Sequence, residues 1–249
     1  MTSRAGGGRP HGLVDGPAIP IVRFARHAMA VSAADLRKLV RDPTELGMRA
    51  VQPLLWFLVF GQVFTRTRAI PTGPVSYMEF LAPGVLAQSV LFAAIFYGIA
   101  VIWERDLGIV HKLMVTPASR SSIVVGKAMV AGARGLVQGL IIIGVAAAVG
   151  VRVRHDAAGI IGVGAGVFLG SALFATFSLV VACIVKTRER FMGIGQVLTM
   201  PLFFASNAIY PIAIMPGWLS SIARVNPLTY LVDALRTLLV VGAVSVSGV

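Results

Sequence analysis

The chain has 249 residues, of which 57% are apolar and 13% charged, with a formal charge of +12 and a mean hydropathy of +0.85. A soluble domain averages about 45–50% apolar and about 25% charged residues, so an ordinary soluble fold is excluded. A basic nucleic-acid binder gathers its cations on one face of a soluble fold; here Lys and Arg separate apolar runs, where they orient spans in a bilayer, so the partner is lipid and not nucleic acid.

Residues 1–20, with Gly6-Gly7-Gly8, Pro10, Pro17 and Pro20, read as a disordered tail. They lack the apolar core and small-residue cleavage site of a signal peptide. The 21–41 stretch reads as a basic amphipathic helix. At 100° per residue Arg23, Arg26, His27, Arg37, Lys38 and Arg41 share an arc of about 120°. Ile21, Phe24, Ala28, Met29, Leu36, Leu39 and Val40 lie opposite, and Asp35 is out of place. Such a helix ahead of a first span is expected to lie on the headgroups. Asp42-Pro43 ends it.

A span needs about 20 apolar residues. Five are expected, over 46–64, 80–103, 122–151, 157–185 and 191–208. Arg49 can snorkel from the first, and Trp103 can anchor the second at an interface. Ser119 or Ser121 can cap the third. Small residues at four-residue spacing (Ala158, Gly162, Gly166, Gly170) give the fourth span a face that another helix can approach closely, and Gly135 and Gly139 do the same on the third. The single cysteine, Cys183, lies in an apolar run and reads as a packing residue. A single helix over 191–223 would measure about 50 Å, too long for a core of ~30 Å. Pro201, Pro211 and Pro216-Gly217 divide it, so a re-entrant or interfacial piece holding Trp218 should follow the fifth span. The chain therefore reads as an all-α polytopic membrane protein, one transmembrane domain over 21–249.

Lys and Arg are concentrated in the tail and first helix, in the 104–127 segment and in the 186–190 loop. The 65–76 loop, the 152–156 turn and the C-terminal region carry fewer (Arg66, Arg68, Arg152, Arg154, Arg224, Arg236). The positive-inside rule then places the N-terminus and the charged hinge at 104–117 in the cytoplasm, and 209–249 outside, in a multi-pass protein of the cell membrane.

The chemistry of an enzyme is missing. His11, His27, His111 and His155 are scattered without a second ligand at metal spacing, and no phosphate-cradling G-x-x-x-x-G-K-[ST] loop is present. No metal or cofactor is implied. No carboxylate pair lies at membrane depth, as an ion-coupled carrier would need. Arg134 is the candidate intramembrane charge; mid-bilayer it would cost about 2.5–3.5 kcal/mol, so it should face the bundle interior or snorkel. A self-sufficient channel or secondary carrier is the alternative reading from these residues, and a membrane-embedded enzyme a weaker one.

Three ordered blocks carry a family likeness. They are Phe80-Leu81-Ala82-Pro83-Gly84-Val85; Glu104-Arg105-Asp106 through Leu113 with Thr116-Pro117-Ala118-Ser119-Arg120 and Gly126-Lys127; and Asn226-Pro227-Leu228-Thr229-Tyr230 through Arg236. Together they resemble the ABC-2 type exporter permeases, the daunorubicin-resistance-like drug exporters in particular. The resemblance implies a permease without its own ATP site, paired with a separate ATP-binding subunit and with a second permease copy or paralogue. It would move drug-like or lipid-like amphipathic molecules out of the cytoplasm. It also implies that the 21–41 helix and the hinge meet the ATPase, through Glu104, Arg105, Asp106, Leu107, Lys112, Leu113, Thr116 and Pro117 on the hinge and Arg23, Arg26, Arg37, Lys38 and Arg41 on the helix. Members have a sixth span after the Asn-Pro-Leu block. Here 237–249 would reach about 20 Å as a helix, and Asp233 and Arg236 oppose insertion of 226–249, so that span is expected to be absent or incomplete.

Overall fold

The computed structural model describes residues 20–41, 43–68, 70–72, 75–109, 119–154, 156–185 and 187–240. The helices in chain order are α1 (Pro20–Arg41), α2 (Pro43–Thr67), α3 (Tyr77–Asp106), α4 (Arg120–Ala148), α5 (Ala157–Ile184), α6 (Arg188–Phe204), a 3-10 turn (Ile212–Ile214), α7 (Gly217–Val225) and α8 (Pro227–Leu239). No strand occurs among the described residues, and the fold is all-α, as expected. Three described helices are long and apolar enough to cross a bilayer: Tyr77–Asp106, Ser121–Ala148 and Ala157–Ile184. The stretches expected to span at 46–64 and 191–208 are also helical, within α2 and α6, with α6 ending at Phe204.

Side-chain caps set where the helices begin. A helix start leaves four N–H groups unsatisfied, a severe cost where water is scarce. At α3 the Ser76 hydroxyl accepts from the Glu79 N–H at 3.2 Å, and the Glu79 carboxylate accepts from the Ser76 N–H at 2.8 Å. Ser119 accepts from the Ser122 N–H to start α4, and Asp156 accepts from the Gly159 N–H at 3.0 Å to start α5. Thr187 caps α6. Asn226 caps α8 through the Leu228 N–H at 2.9 Å, and Pro227 takes the first helical position, where no N–H is needed.

α3 forms the centre, packed by α2, α4, α5, α6 and α8. Leu86, Ala87, Val90 and Leu91 are fully buried along it. Between spans lipid removes the usual hydrophobic drive, so close approach and packing carry the association. Gly135 of α4 lies so near Ser171 of α5 that a Cβ there would overlap the hydroxyl. The stripe Gly162, Gly166, Gly170 on α5 is covered by Leu238, Leu235 and Leu231. α8 therefore runs antiparallel to α5 and returns the chain to the turn before α5. There Val153 bridges Val240, and the Arg154 N–H donates to the Leu239 carbonyl at 2.8 Å.

Within the segment expected outside the membrane, α8 packs against α3 and α5 with Leu228, Val232 and Leu235 fully buried; with 13 residues it is not among the helices long and apolar enough to cross a bilayer. It carries Asp233 and Arg236, the charges that oppose insertion. Arg236 is only 1% exposed, but its guanidinium donates to Asp233 at 3.2 Å and to the Asn207 carbonyl at 2.8 Å, and stacks 3.9 Å from the Phe80 ring. Asn207 also donates to Asp233 at 2.5 Å. Mutual neutralisation removes most of the penalty that either charge alone would bring. Cys183, expected to pack, is exposed on the outward side of α5, while Ala182 beside it is buried.

Candidate functional site

The end of α3 reaches three helices through its charges. Lys127, two turns into α4, donates to Glu104 at 2.6 Å, with the side chains 5% and 12% exposed. Pairing lets a lysine lie that deep, because a lone buried ammonium would be very costly. Lys127 also sits 5.8 Å from the face of Tyr97, and the Arg134 guanidinium 5.5 Å from the same face. Arg134, half-buried, thus points into the bundle from α4 against α3.

Arg105 directs its guanidinium at the Ala182 and Val185 carbonyls, 3.5 and 3.4 Å away. These close α5, where a cation is favoured by the helix dipole. Asp106 accepts from Arg188 of α6 at 3.1 and 3.0 Å. The same guanidinium stacks 3.6 Å from the Trp103 ring. The three charges read from the sequence as one docking surface are therefore spoken for inside the chain, one each by α4, α5 and α6. Leu107 beside them is 65% exposed. Lys112, Leu113, Thr116 and Pro117 lie outside the described residues.

α1 meets the same place. Its Ser32 hydroxyl donates to the Gly126 carbonyl of α4 at 3.0 Å, one residue before Lys127. Ala28 is buried, and Met29 and Leu36 are exposed. Arg26 and Arg37 are exposed, Arg37 donating to the Ala33 carbonyl within its own helix. The side chains of Arg23, Lys38 and Arg41 lie outside the described residues. Between α2 and α3 an open groove of about 610 Å³ is lined by Arg49, Phe96, Ile99, Trp103 and Leu107.

At the far end of the bundle Glu79 is buried and paired with Arg152 at 2.9 Å. Asp156 accepts from Arg154 at 2.8 Å; that bond, then the Gly159 N–H, holds its carboxyl below the usual range. Among the described residues no three His, Cys, Asp or Glu side chains gather to hold a metal. Sequence reasoning missed Lys127 and Arg236 as buried charges. The signal for Arg236 was available in the i, i+3 spacing of Asp233 and Arg236, whereas nothing local marks Lys127 as the partner of Glu104.

The model of the family described as ABC-2 type transporter matches residues 26–240. The chain belongs to the ABC-2 type transporter family. The chain is 30% identical to ycf38 of Cyanophora paradoxa, a protein named as a transport permease, over 203 residues, covering 81% of this chain and 70% of that one. It is 22% identical to the daunorubicin resistance ABC transporter permease protein DrrB1 of Streptomyces coeruleorubidus over 197 residues, covering 79% and 69%. The inner membrane transport permease YadH of Escherichia coli K12 is 23% identical over 188 residues, covering 73% and 70%. As an ABC-2 transport permease, the chain is a multi-pass membrane protein, and ABC-2 permeases generally work with an ATP-binding subunit.

Proposed function

We propose that this chain is the permease subunit of an ATP-driven exporter of amphipathic molecules, working as a dimer of permeases with a separate ATPase at the elbow formed by the end of α3. The N-terminus and elbow face the cytoplasm, and the protein resides in the cell membrane. One observation carries the coupling part of this reading: α1 and the end of α3 are fastened to consecutive residues of α4, Ser32 to Gly126 and Glu104 to Lys127. The two parts that would meet an ATPase are thus one mechanical unit. A displacement there is passed to α5 and α6 through Arg105 and Arg188. The exposed Leu107 and Arg37, and with them Lys112, Leu113, Thr116 and Pro117, are left to contact the partner, while Glu104 and Asp106 transmit.

The test is co-reconstitution with an ATP-binding partner in inverted vesicles, following ATP-dependent accumulation of an amphipathic dye. Arg105→Glu, at a partly exposed side chain, should leave insertion and ATP hydrolysis in place and abolish accumulation. Transport by the permease alone in liposomes, with no ATPase and no ATP, would overturn the proposal in favour of a self-sufficient carrier.

A further inference from the structure

The open groove of about 610 Å³ between α2 and α3 has two unlike ends. Its α3 wall is one face of the helix, made by Phe96, Ile99, Ala100, Trp103 and Leu107. From Phe96 to Leu107 that face extends about 16 Å at 1.5 Å per residue, close to half of a hydrocarbon core of ~30 Å. The apolar wall therefore has the depth of one leaflet. At the elbow end α2 contributes Arg49, which is exposed and stands in the second turn of its helix. Trp103 beside it is 49% exposed, as suits an aromatic ring at headgroup level.

The charges of the mouth decide which lipid fits. Glu104 is the acid of the lining, and Lys127 matches it at 2.6 Å. With Arg49 counted, the mouth is net positive. A guanidinium grips a phosphate through two parallel N–H donors. A phosphatidylcholine headgroup brings an ammonium along with its phosphate, and a positive mouth repels it. An anionic headgroup carries no such cation. α1 and the start of α6 meet the same end of the bundle, and the excess of Lys and Arg in 21–41 and 186–190 enriches anionic lipid at an adjoining surface.

We infer that this groove holds one anionic phospholipid of the adjoining leaflet, with its phosphate on Arg49, its ester region beside Trp103 and an acyl chain along Ile99 and Phe96. Lipid tails cover any exposed apolar helix face; the arginine at the mouth turns this face into a site that selects a headgroup. On the cytoplasmic placement of the elbow proposed above, the lipid comes from the inner leaflet. Its binding does not depend on that placement, because both leaflets of a test vesicle carry the same lipids.

The test uses the full chain with Trp103 as its one tryptophan (Trp56→Phe, Trp218→Phe), reconstituted in phosphatidylcholine vesicles. A minor fraction of the lipid is brominated on its acyl chains and quenches the tryptophans that it touches. Brominated phosphatidylglycerol is expected to quench Trp103 with an apparent affinity about fivefold above that of brominated phosphatidylcholine, the factor for one Arg–anionic lipid contact. Arg49→Gln should bring the two lipids level, whereas Arg26→Gln with Arg37→Gln on α1 should keep the preference. Equal quenching by the two lipids before any change at Arg49 marks ordinary boundary lipid and overturns the inference. Quenching by neither marks a groove covered by protein, such as a second copy of the chain, and also overturns it. So does a preference that survives Arg49→Gln, which would belong to the surface and not to the groove. Native mass spectrometry of the unaltered chain, titrated with the two unbrominated lipids, repeats the comparison without substitutions, and equal retention there refutes the site. None of these outcomes bears on ATP-dependent transport, by which the permease reading is judged.

Discussion

Glu104→Gln keeps the shape of the side chain and removes the charge that lets Lys127 lie buried. With both side chains at or below 12% exposure, water cannot take over the role of the carboxylate. Removing one partner of a buried pair costs about 3–5 kcal/mol. The lower figure applies here, because the ammonium keeps the face of Tyr97 at 5.8 Å. For a chain of this size about 3 kcal/mol corresponds to a fall in Tm of about 6–12 °C. Thermal unfolding in detergent, followed by loss of the monodisperse peak on size exclusion, measures it. The exchange Glu104→Lys with Lys127→Glu should recover at least half of the fall, since the pair is rebuilt in reverse. A Tm for Glu104→Gln within a degree of wild type, or no recovery in the exchange, would refute the idea that this pair fastens α3 to α4.

Gly135→Ala should lower Tm by overpacking of about 1–3 kcal/mol, because its Cβ meets the Ser171 hydroxyl; Ser171→Ala in the same chain should restore part of the loss. Asn226→Ala removes the α8 cap and leaves the Leu202 and Ala205 carbonyls, now bonded at 2.7 and 2.8 Å, without a donor. A loss of about 2–3 kcal/mol follows from the cap and the two bonds, read as increased protease cleavage near residue 226. The lowered Asp156 pKa means that the carboxylate stabilises the fold above its ordinary pKa of about 3.9. That contribution disappears as pH falls through the folded value. Asp156→Asn should therefore be less stable than wild type at pH 7, and the two should converge in acid, as melting curves across the pH range would show.

Helix positions were legible because caps and apolar runs are local. Ser119, predicted as a cap, starts α4, and the glycine face of α5 receives a helix, α8. Which helix would fill it was not legible, since Leu231, Leu235 and Leu238 carry no mark of their target. The charges were harder still. A sequence shows Glu104 and Asp106 as polar residues between apolar runs, and solvent exposure is the natural expectation. Their partners, Lys127 and Arg188, are 23 and 82 residues away, so only the fold reveals that these charges join helices. Asp233 and Arg236 pair with each other and Asn207 donates to Asp233, an arrangement that charges counted one by one do not show.

The smallest residue of the bundle governs its most deeply buried charge. A Cβ on Gly84 would overlap the Ala208 carbonyl, so a bare α3 surface is what lets the 206–208 turn lie against it. That turn presents the Asn207 carbonyl and side chain to Arg236 and Asp233. A missense change at Gly84 would thus displace an acceptor, and in a genetic screen it would behave as a lost arginine although every charge in the protein were intact. Suppressors of such an allele should arise at position 208 or on α8, far from it in sequence and adjacent to it in space.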